Sequence, residues 1–178
     1  MQLNCYGGSL ELINEPSYSF GSADNLRQYV FAKHLDGAYR PISVHGVLLN
    51  GKPLAVFGDG GGRSGVHPRS AVLSRAQLFL AVGRHVVCLR PEPFEFRWAL
   101  QTDDATCFGV YYDETHDALI SHGELEIARF THDGSNVCSS SGADIFSEGF
   151  TLGSQYIEVR DFEGRPYRFN YADGKCCT

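Results

Sequence analysis

The stretch "RPISVHGVLLNGKPLAVFG", residues 40–58, decides the fold class. Two apolar runs flank Asn50-Gly51. Asn-Gly suits the tight turn of a two-residue hairpin, in which both central residues take positive φ. "VHGVLL" before it and "KPLAVFG" after it therefore read as two antiparallel strands. Similar punctuation recurs at Asp36-Gly37, Asp133-Gly134, Glu163-Gly164 and Asp173-Gly174. In "QYIEVRDFEGRPYRFNY", residues 155–171, Ile157 and Val159 alternate with Tyr156, Glu158 and Arg160, and Tyr167, Phe169 and Tyr171 alternate with Arg168 and Asn170. That is the period of two of a half-buried strand. "AQLFLAVGRHVVCLRP", residues 76–91, reads as two apolar strands broken at Gly83-Arg84. Helix signals are weak: "SADNLRQYVFAKHL", residues 22–35, fits a short helix or a strand, and "SRAQLF" near residue 74 is a second weak helix candidate.

The expectation is an all-β chain of antiparallel hairpins, stacked as propeller-blade-like sheets or as a β-sandwich, with at most one short helix. At 178 residues it fits a single domain, residues 1–178. Residues 1–75 are less regular, and residues 76–178 form repeat-like hairpin units. These units lie at residues 78–104, 119–144 and 155–174, each a strand, a break, a second strand, a turn and a third strand. "IARFTHDGSNVCSSSGAD", residues 127–144, resembles a blade unit of β-propellers of the quinoprotein or WD40-like kind, with Asp-Gly joining two strands. The resemblance covers roughly the last 100 residues. Only Trp98 stands where such blades often carry a tryptophan. The resemblance implies a fold and carries over no functional residue.

Composition limits function. Net charge is −6 and pI about 5.6, and no Lys/Arg cluster interrupts it. Long-range repulsion then disfavours nucleic acid and anionic membrane surfaces as partners. No apolar run reaches the roughly 20 residues of a membrane helix. The opening "MQLNCYGGSLELINEPSYSF" has neither a basic n-region nor an apolar h-region, so the expected location is the cytoplasm. Cys88 and Cys107 lie in apolar runs and are expected to be buried thiols, and no CxxC spacing points to zinc.

Three groups could carry chemistry. "FGDGGGRSGVHP", residues 57–68, follows a strand as a phosphate loop would. It lacks the lysine and a following helix, and Asp59 would repel phosphate. It is expected to be a mobile, ligand-facing connector with Arg63, Ser64 and His67 at its exit. Asp59, Ser64 and His67 are the residue types of a nucleophilic triad, but they crowd one loop. "DETHDALISHGELE", residues 113–126, with His132 soon after, is densest in potential metal ligands. His116, His122, Glu124 and His132 would form the centre of a metal-dependent hydrolase. Tyr111, Tyr112 and Tyr156 could give an aromatic face for a partner. Asp103 and Asp104 fit turn capping better than a catalytic pair.

The leading expectation is a soluble, non-enzymatic binding or adaptor module without cofactor. Its ligand would be a protein or a small molecule. The alternative is the metal-dependent hydrolase. Unpaired edge strands would also permit self-association into a homo-oligomer.

Overall fold

Apolar residues on both faces of successive strands dictate the architecture. In "QLFLAVGRHVVCLR", residues 77–90, Leu78, Leu80, Val82, Val87 and Leu89 point to one side and Phe79, Ala81, Val86 and Cys88 to the other. A sheet with two apolar faces must be covered twice. The computed structural model, which describes residues 1–37 and 40–177, shows how that is met.

Among the described residues, sixteen strands form four sheets. The first holds β1 (Gln2–Cys5), β2 (Gly8–Asn14), β3 (Phe31–His34), β4 (Ser43–Leu49) and β5 (Lys52–Asp59), in the order β1-β2-β4-β5-β3. The second runs in sequence order through β6 (Ala71–Ser74), β7 (Gln77–Val82), β8 (His85–Arg90) and β9 (Glu95–Gln101). The third does the same through β10 (Cys107–Asp113), β11 (Ala118–Gly123), β12 (Glu126–Phe130) and β13 (Asn136–Ser141). The fourth holds β14 (Glu148–Leu152), β15 (Tyr156–Arg160) and β16 (Pro166–Asn170). Pairing is antiparallel except for β3, which adds to β5 in parallel.

The sheets stack face to face in chain order, which excludes a two-sheet sandwich. Leu10, Leu12, Val47 and Phe57 of the first meet Leu78, Leu80 and Leu89 of the second. Phe79 and Cys88 on the second sheet's other face meet Cys107, Leu119 and Phe130 of the third. Ile120 and Ile127 of the third meet Ile157, Val159 and Phe169 of the fourth, with Phe146 between. Each fully buried Leu, Ile or Phe stabilises the stack by roughly 1.5–3 kcal/mol. Cys88 and Cys107 are fully buried free thiols, and burial pushes both up to about 12.

Among the described residues no helix forms. Residues 22–35 are turns and bends that end in β3. "SRAQLF" is a hairpin, with Arg75 and Ala76 both at positive φ between β6 and β7. Asn50 and Gly51 also both take positive φ, as their sequence predicts. At Asp133-Gly134 and Glu163-Gly164 only the glycine does. These two close as longer loops with the glycine as the left-handed residue, not as two-residue turns. The three repeat units read from sequence fall on β7–β9, β11–β13 and β15–β16, so each lacks its sheet's first strand.

Trp98 on β9 latches the second sheet to the third. Its indole N–H donates to the His132 carbonyl at 3.0 Å, and its ring meets Phe79 and Phe130. The outer face of the first sheet is covered differently, by residues 15–30 together with Pro41 and Ile42. There the Phe20 ring and Pro41 sit over Gly58, and the Tyr29 hydroxyl sits over Gly46.

Candidate functional site

One end of the stack is a rim of turns, and its buried carboxylates have a common task. Asp59, at the end of β5, accepts the Arg84 N–H at 2.7 Å and holds His85 Nδ1 at 2.8 Å. Asp103, after β9, accepts four backbone N–H groups. Ala105 and Thr106 donate to one oxygen, and Leu125 and Glu126 of the next sheet's turn donate to the other, at 2.6–2.9 Å. Each carboxylate therefore grips the hairpin turn of the following sheet. Gly83 and Gly123 sit in those turns because the carboxylates fill the space a Cβ would need. Asp59 and Asp103, like Gly83 and Gly123, are spaced by about 40 residues, the length of a blade unit. Asp161 closes its own turn through the N–H groups of Glu163 and Arg165, the Arg165 Nε and the Tyr167 hydroxyl. Burial would raise the Asp161 pKa, but the hydrogen bonds from Arg165 and Tyr167 hold it below the usual carboxylate range. Backbone bonds complete the rim, from Cys107 to Gly83, Glu124 to Thr106 and Phe146 to Glu124. Asp103 thus caps a turn, as its sequence context suggests, and also clamps a neighbour.

The glycine-rich loop is not a loose connector. It lies across this rim and is pinned to it. Gly62 N–H donates to the Ala105 carbonyl at 3.0 Å, and Thr106 Oγ1 occupies the space a side chain at Gly62 would take. Ser64 N–H donates to Ser43 Oγ at 2.8 Å, and Ser64 Oγ accepts the Gly83 N–H at 3.1 Å. The His45 ring spans the Ser64 and Ala81 carbonyls, and burial lowers its pKa. His67 accepts the Arg69 N–H through Nδ1 and places Nε2 at 2.6 Å from the Phe108 carbonyl. Ser64 and His67 are thus engaged with backbone groups rather than with each other. Arg63 has no ion pair among the described residues and lines the groove described next.

The His/carboxylate group is dispersed. Among the described residues no three of His, Cys, Asp and Glu are placed to hold a metal. His116 stacks on Tyr171 at 4.2 Å and pairs with Asp113 at 3.0 Å, before β11. His122, near the far end of that strand, lies between Phe150 and Phe108 at 4.7 and 5.5 Å. Burial pushes His122 down to about 4, and its Nε2 is buried without a partner among the described residues. Glu124 sits in the rim turn, where its backbone joins Thr106 and Phe146. His132 contacts Ser74 Oγ at 3.1 Å and the edges of the Phe79 and Tyr112 rings, between the second and third sheets. Nor do the tyrosines share one face. Tyr111 stacks on Phe150 towards the fourth sheet, and Tyr112 packs towards the second. Both faces of the third sheet are covered, so neither adjacent tyrosine has to leave the interior. Tyr156 lines a separate cleft with His116 and Arg129.

Arg63 opens onto a groove at the other side of the loop. Two contiguous hollows of about 420 and 630 Å³ share Pro16, Ile42 and Arg63. Their walls include Tyr18, Phe20, His34 and Arg40. Phe20 stacks on His34 at 5.4 Å and meets Tyr18 edge-on at 5.1 Å. The cap is anchored by Glu15, which accepts the Tyr29 hydroxyl at 2.6 Å and the Arg27 guanidinium at 3.1 Å. It leaves Leu26, Val30 and Ile42 exposed, at 91%, 76% and 56%. Neither Arg40 nor the cap stands out in the sequence, because no short motif marks them.

The stacked sheets match a known architecture. Among solved structures the chain aligns with BamB from Moraxella catarrhalis, a β-propeller structure, at a TM-score of 0.54 and 13% identity. The alignment covers 76% of this chain and 43% of that one, so the chain spans less than half of the neighbour's length. No protein-family model matches the chain, and no curated protein does. The fold is therefore all-β and propeller-like, and the likeness is one of fold alone.

Proposed function

We propose that this chain is a non-catalytic binding module that takes its ligand in the groove between the cap of residues 15–30, 41 and 42 and the glycine-rich loop. One observation carries this reading. The rim carboxylates and the loop's Ser64 and His67 are engaged in holding the sheets together, whereas the groove combines exposed apolar residues with aromatic walls and two arginines. Apolar and aromatic surface with arginine is the usual composition of a recognition surface. Open grooves of mixed lining suit peptide segments of partner proteins better than compact metabolites, which favour enclosed pockets.

Selection of displayed random peptides on the purified chain tests this. The expected result is an enriched pool whose binding is lost when Ile42→Asp places a charge in the groove. A pool indifferent to that substitution contradicts the assignment of the groove.

A further inference from the structure

The arginines of this chain are almost all paired. Arg27, Arg75, Arg84, Arg90, Arg97, Arg165 and Arg168 meet carboxylates. Arg129 and Arg160 donate to backbone carbonyls, and Arg69 lies over the Tyr111 ring. Arg40 and Arg63 have no such partner among the described residues, and both line the same groove. In a chain of net charge −6, acidic side chains are plentiful, yet among the described residues none forms an ion pair with either of these two. Phe20, Pro41 and Ile42 line that groove with them.

We infer that this groove binds an extended acidic peptide segment of a partner protein, with carboxylates on Arg40 and Arg63 and apolar side chains on Phe20, Pro41 and Ile42. This rests on the binding-module reading and names its ligand class. Planar guanidinium groups match carboxylates bidentately, which gives direction as well as attraction. The chain's overall negative charge opposes dense polyanions such as nucleic acid or anionic lipid surfaces more than it opposes a short peptide with a few carboxylates. The open groove's mixture of aromatic, apolar and guanidinium groups also fits a peptide's varied side chains better than a lone phosphate.

The same peptide selection, read by composition, supplies the test. Enriched peptides should carry Asp or Glu interspersed with apolar residues. By fluorescence polarisation, a labelled lead peptide should lose affinity by about tenfold or more with Arg40→Gln and with Arg63→Gln. Arg63→Lys should restore part of that loss, and added salt should weaken binding to the native chain. Far-ultraviolet circular dichroism establishes that each variant is folded. An enriched pool without acidic bias, or acidic peptides bound equally by both Gln variants, overturns the acidic-peptide reading and leaves the binding module standing. Displacement of the lead peptide by stoichiometric duplex DNA or phosphatidylserine vesicles also overturns it, in favour of phosphate. Failure to enrich any peptide counts against both readings.

Discussion

The turns along the rim and the cap on the first sheet are both polar loop regions, but they dispose of their polar groups differently. On the rim, Asp59 and Asp103 each bind the turn of the next sheet, and Gly83 and Gly123 make room for them. The arrangement repeats because each sheet must be held against the next. On the cap, Glu15 gathers Tyr29 and Arg27, and Phe20 closes over Gly58, but Arg40, Arg63 and Ile42 face outward. Residues that repeat with the architecture hold it together, and residues that break the repeat are free to meet something else.

The largest effect is expected where that contrast is strongest. Asp103→Ala leaves four backbone N–H groups without their acceptor at a buried site. It should destabilise the chain by about 3–5 kcal/mol in urea unfolding. A loss below about 1 kcal/mol would mean that water replaces the carboxylate and that the clamp is incidental.

Acid should weaken the stack next. His122 is held neutral by burial, with a pKa near 4 against an ordinary 6.5. Between those values the unfolded chain takes up a proton that the folded chain refuses. Stability is therefore full above about 6.5 and falls as pH drops towards 4, by up to about 3 kcal/mol from this group. His122→Phe, which keeps a ring between Phe108 and Phe150, should flatten that part of the profile. An unchanged slope would place the acid sensitivity elsewhere, for instance at His45 or His132, whose pKa values burial also lowers.

The smallest effect sharpens the comparison from the turn side. Ala76 takes positive φ in a two-residue hairpin, where a Cβ is unfavourable. Ala76→Gly should stabilise the chain by about 1 kcal/mol, read as a higher urea midpoint. It should leave peptide binding unchanged.

Much of the fold was legible because hairpins are local. Asn50-Gly51 and the alternation from Ile157 to Tyr171 specify strand, turn and strand within a few residues. The first strands of the second and fourth sheets are harder to read, because β6 and β14 follow connections whose order depends on the preceding sheet, as in the bond from Phe146 to Glu124. The glycine-rich loop shows the same limit. Its composition suggests freedom, but Gly62 and Ser64 meet partners in other sheets. The four proposed metal ligands are spread along the third sheet, with His116 before β11, His122 near its far end, Glu124 in the next turn and His132 after β12, whereas Tyr111 and Tyr112 part because strand neighbours alternate between two interior faces. Arg40 and Arg63 stand out only once every other arginine has been paired in space.

The rim carboxylates bind neighbouring turns, whereas Arg40 and Arg63 in the cap groove have no ion pair among the described residues and are not expected to hold the structure. Urea unfolding of the Arg40→Gln/Arg63→Gln double variant tests that most directly. The predicted midpoint matches the native chain, with a stability change within about 0.5 kcal/mol. A loss of the size expected for Asp103→Ala would show that the two arginines hold the cap in place, and would remove the reason for regarding the groove as a binding surface.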